Sequence, residues 1–142
     1  MIGLLLAAAL VLPAAPPEPS ARELGRSSVY AGFCAELGWE TSRERVIAAG
    51  DAYAARHPER EETELAAEIT LGIGDGQTEI GALIESFHAT ADVIALKQAI
   101  ETRCDAVVRD VPEFLSRSAG TAASFDAAIA EIAANNVGGA RP

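Results

Sequence analysis

The sequence predicts an all-α protein: a small bundle of five or six short helices with one disulfide. Three observations carry this. Thirty of the 142 residues are Ala, the strongest helix former, spread along the whole chain. The β-branched residues never fall into the alternating runs that a half-buried strand needs. Large apolar side chains recur at spacings of three and four between Gly and Pro breaks, and one Cys sits on each of two such stripes. The length suits one domain with one core.

The chain opens on an apolar, uncharged run, Met1–Leu12, followed by Pro13, Ala14 and Ala15. It is too short to span a bilayer, which takes about 20 residues. The small residues behind it suit cleavage, so residues 1–15 read as a secretory signal peptide, although no Lys or Arg precedes the run. Residues 16–20 read as an extended linker, 21–136 as the helical domain, and 137–142 as a flexible tail. The mature form is expected to carry no membrane span and to be periplasmic or secreted.

The first helix is expected over residues 21–37, with Tyr30, Phe33, Cys34 and Leu37 on one stripe and Gly38 as a left-handed cap. Trp39 is then placed to fold back on the last turn. Thr41-Ser42-Arg43-Glu44 has the form of a capping box and opens a second helix. Its stripe is Val46, Gly50, Tyr53 and His57, and it stops at Pro58. A third helix is expected from Glu59 to Leu71, ended by Gly72-Ile73-Gly74-Asp75-Gly76. Thr78 would cap a fourth helix with Ile80, Leu83, Ile84, Phe87 and Ala91 inward. The next apolar set, Leu96, Ile100, Cys104, Val107, Val108 and Val111, points to the opposite side of a continuous helix. A break near residues 90–92 is therefore expected, with Thr90 or Asp92 as cap. That helix ends before Pro112, residues 112–115 add one turn, and a last helix runs over 121–135 on Phe125, Ile129 and Ile132.

Cys34 and Cys104 should both face the core, and in an oxidising compartment such a pair joins. Closing a loop of this length contributes about 4 kcal/mol in the chain-entropy model. A reactive thiol would want exposure and a positive neighbour, which neither stripe supplies. The two Cys with His57 and His88 match no zinc-ligand spacing. Glu85, His88 and Asp92 lie at i, i+3 and i+7, and Glu85-x-x-His88 has the form of one arm of a di-metal bundle site. The second arm is missing, so a solvated polar face is the simpler reading, and no cofactor is expected. The glycine-rich segment fits neither a dinucleotide loop, a phosphate loop nor a calcium hand, and reads as a helix connector.

Eleven Lys and Arg against 21 Asp and Glu give a net charge of −10, which argues against nucleic acid as a partner. Glu59, Glu61, Glu62, Glu64 and Glu68 form an acidic helix start that suits the helix dipole and offers a docking face for a basic protein. Aromatics are too few for a sugar-binding platform, and no Ser/His/Asp set stands out for nucleophilic catalysis. The function expected is protein–protein binding by an exported helical protein without catalytic chemistry. The alternatives are an acidic inhibitor of a basic exported enzyme, and a metal-dependent enzyme or carrier built on the Glu85–His88 face.

Overall fold

The computed structural model describes residues 17–138, with side chains to residue 136. The expected signal segment lies outside the described residues. Five helices and no strand are present among the described residues: α1 (Ala21–Glu36), α2 (Arg43–Arg56), α3 (Glu62–Thr90), α4 (Val93–Asp110) and α5 (Thr121–Gly138).

Each helix starts or stops where a side chain satisfies backbone groups that the helix leaves free. Ser20 caps α1 in a reciprocal capping box with Glu23. At the other end Gly38 adopts φ 118°. Its N–H donates to the Ala35 carbonyl and that of Trp39 to the Cys34 carbonyl, the paired bonds of a Schellman motif. α2 begins one residue later than the expected box: Ser42 is the cap and accepts from the Arg45 N–H. The Thr41 hydroxyl donates instead to the Phe114 carbonyl, which ties it to the loop after α4. That loop runs beside residue 40, where Glu40 and Ser116 exchange two backbone hydrogen bonds. Arg45 fixes it further, donating to the carbonyls of Glu40, Pro112 and Glu113 and to Ser116 Oγ.

The largest departure from expectation is α3. The segment from Gly72 to Gly76 is helical, and one helix of 29 residues replaces the expected pair. The reason lies in packing. α1 and α3 run in the same direction and make the most extensive helix contact of the fold. A Cβ built on Gly72 would overlap the Arg22 carbonyl, and one on Gly25 would overlap that of Ile69. One on Gly76 would come within 3.1 Å of the Arg26 carbonyl. The missing side chains let two backbones touch, and that contact outweighs a propensity cost of about 1 kcal/mol per Gly. Two ion pairs flank the seam: Arg22 with Asp75, and Arg26 with Glu79, each through two guanidinium nitrogens. Thr78 therefore lies within a helix and caps nothing.

The break expected near residues 90–92 is present, whereas α3 starts at Glu62 rather than Glu59 and α5 runs three residues beyond Asn135. α3 stops at Thr90, Ala91 takes a left-handed φ of 53°, and Asp92 caps α4 by accepting from the Ala95 N–H. α4 ends before Pro112, and α5 extends to Gly138. Cys34 and Cys104, both without solvent exposure, form the disulfide between α1 and α4 across a separation of 70 residues. Around it the core continues through Tyr30, Ile100, Leu115 and Phe125. Phe125 packs edge-on to Trp39 at 4.9 Å between centroids.

Candidate functional site

The apolar faces of α3 and α5 converge on a cavity of about 650 Å³ that opens to solvent. α1 contributes Phe33 and α4 contributes Leu96 and Ile100, one turn from Cys104. α3 contributes Ile84, Phe87 and His88; α5 contributes Ile132, Asn135 and Asn136. The opening has a sequence cause. Thr121 and Phe125 bury the start of α5. After Ile132 the described side chains of α5 are Ala133, Ala134, Asn135 and Asn136, and none of these fills the space beside Ile84. That isoleucine is left 41% exposed, although its position on the α3 stripe is that of a core residue.

The polar part of the wall lies where the last turn of α3 meets the end of α5. There His88 Nδ1 lies 3.4 Å from Asn136 Oδ1. The wall holds one imidazole and two carboxamides, with no carboxylate, hydroxyl, thiol, Lys or Arg among the described residues. The helix expected over 121–135 gives Asn135 and Asn136 no binding role; their place in the wall depends on how α5 leans on its neighbours. The one advance signal is the abrupt end of the apolar stripe after Ile132.

The Glu85, His88 and Asp92 arrangement takes a different form in three dimensions. The helix ends between His88 and Asp92, and the Asp92 carboxylate is engaged as the α4 cap. Among the described residues, no group of three or more His, Cys, Asp or Glu side chains is placed to hold a metal ion.

The acidic start of α3 is partly neutralised from within. Arg60 bridges Glu64 at 2.7 Å and Glu68 through both terminal nitrogens, and its hydrogen bond holds the Glu68 carboxyl below its ordinary range. Glu59 lies 3.3 Å from His57 Nδ1, and Glu61 is the α3 cap residue without a side-chain hydrogen bond. His57 also meets Glu18, which Arg56 binds at 2.7 Å.

A second polar cluster sits inside the α1–α3–α4 contact. Tyr30, 1% exposed, accepts a 2.6 Å hydrogen bond from Arg103 and lies 3.3 Å from Glu79, which Arg26 holds. Burial pushes the phenol up, and the Arg26 hydrogen bond pushes the Glu79 carboxyl down. Each group has a partner, as buried polar groups require, and the cluster reads as structural cross-linking of three helices. No protein-family model, curated protein or solved structure matches the chain.

Proposed function

We propose that the chain is an exported binding protein that holds a small apolar molecule in the cavity between α3, α4 and α5, without catalysis. The single observation that carries this is the cavity. Its volume lies within the range of about 300–1,000 Å³ common to small-molecule sites, and its wall is mainly aliphatic and aromatic with few polar groups. A catalytic reading gains no support from that wall, where among the described residues the imidazole meets neither a nucleophile to activate nor a carboxylate to orient it. Export is supported by the Cys34–Cys104 disulfide, the chemistry of an oxidising compartment, together with the apolar opening segment of the sequence. The Glu-rich start of α3 gives less support to docking of a basic protein, because Arg60 already occupies Glu64 and Glu68.

Fractionation under thiol-blocking conditions tests location: the expected finding is an oxidised protein in the exported fraction. Fluorescence of N-phenyl-1-naphthylamine, a neutral apolar probe, tests binding. The probe should brighten with the native protein, and Ile84→Arg, a change at a partly exposed position, should weaken it at least about tenfold. No brightening, with a protein co-purifying in stoichiometric amount, would move the binding surface to the outside of the bundle and end this reading.

A further inference from the structure

We infer that the ligand is an amphiphile, an apolar body with one uncharged hydrogen-bonding head, and that the head lies against His88, Asn135 and Asn136. This rests on the binding reading above and adds the chemical class and the orientation.

The argument is one of charge complementarity. Six of the nine wall residues are aliphatic or aromatic, so most of the ligand surface must be apolar. The polar wall groups gather at one place, as the approach of His88 to Asn136 shows. Carboxamides donate and accept, and an imidazole does one at each nitrogen, so together they match a hydroxyl or an amide. They can donate to a carboxylate or phosphate but supply no opposite charge. No Lys or Arg among the described residues lines the cavity, and Lys97, beside Leu96 in sequence, is engaged 2.8 Å from Asp126. An ammonium head fares no better, because no carboxylate among the described residues lines the wall to pair with it.

The test uses the disulfide-bonded protein and four ligands of equal chain length competing with the naphthylamine probe: 1-decanol, decanamide, decanoate and decylamine. The alcohol and the amide should displace the probe at about tenfold lower concentration than either charged compound. Decanoate or decylamine matching or exceeding them overturns the head assignment while leaving the cavity as a binding site. Failure of the probe itself to bind overturns both readings. Asn136→Leu supplies the positional check. It should keep probe binding, and the preference for decanamide over decanoate, read as the ratio of displacing concentrations within the variant, should fall at least about threefold. An unchanged preference in this variant and in Asn135→Leu would place the head elsewhere.

Discussion

The two halves of α3 meet their neighbours in opposite ways. From Leu65 to Glu79 the helix lies against α1 with backbone touching backbone, and the glycines there carry no side chain to hold the helices apart. From Ile80 to Thr90 the same helix presents large apolar residues, yet the space between them and α5 stays open. Close packing here comes from small residues matched across a seam, and the cavity comes from large residues without a counterpart. A bulky stripe does not ensure a filled core; what faces it decides.

The disulfide joins α1 to α4 one turn from Ile100 on the cavity wall, and its removal should have the largest effect. The Cys34→Ser, Cys104→Ser double variant should lose about 4 kcal/mol in urea denaturation, with the loop of 70 residues as the cause. A loss below about 1 kcal/mol would mean that the seam alone organises the bundle. The glycine series comes next. Gly72→Ala should cost about 1–3 kcal/mol by forcing α1 and α3 apart, and Gly76→Ala less, since its nearest contact is 3.1 Å. Gly74→Ala, which meets nothing within 4 Å, should stabilise by about 0.5–1 kcal/mol. Equal effects at all three positions would show that propensity, not the seam, governs this half.

That series also marks what could be read in the sequence. The Cys34–Cys104 brace followed from two stripe positions, and the stop at Thr90 followed from apolar faces that a straight helix could not reconcile. Propensity alone reads Gly72–Gly76 as a break, because it counts each glycine as a cost within its own helix. The compensating contact belongs to Arg22, Gly25 and Arg26, about fifty positions away. The signs were present as Gly72 and Gly76 four apart, with acids at 75 and 79 matching basic residues at 22 and 26. The cavity was not legible, since a void is defined by side chains that fail to meet, and only the Ala133–Asn136 run hints at it.

Filling the void sharpens the contrast from the other side. Ile132→Phe adds bulk where α5 faces Ile84 and should leave stability within about 1 kcal/mol of the native protein, because room exists for the ring. The same change should lower naphthylamine binding at least about fivefold. A destabilisation above about 2 kcal/mol would mean that the wall is already as tightly packed as the glycine seam.

Acid should act on the seam as well as on the other ion pairs, with the smallest of these effects. Arg22 and Arg26 hold the carboxyls of Asp75 and Glu79 below their ordinary values. A carboxyl depressed in the folded state adds stability that is complete above its unfolded value, near 4.5 for Glu79, and is lost as pH falls through the lower folded value. Stability should therefore decline below about pH 4.5, and Glu79→Gln should remove part of the decline. The Glu79 side chain is 36% exposed, so solvent screening keeps its share below about 1 kcal/mol. Tyr30 and Arg103 adjoin the same carboxylate. Arg103→Gln should thus leave most of the pH dependence in place, because the bidentate hold on Glu79 comes from Arg26. Urea midpoints at pH 7 and pH 3 measure the difference. An identical pH slope in the native protein and in Glu79→Gln would assign the acid response to Asp75 on the same seam or to Glu18, Glu59, Glu68 and Asp110 at the other ion pairs.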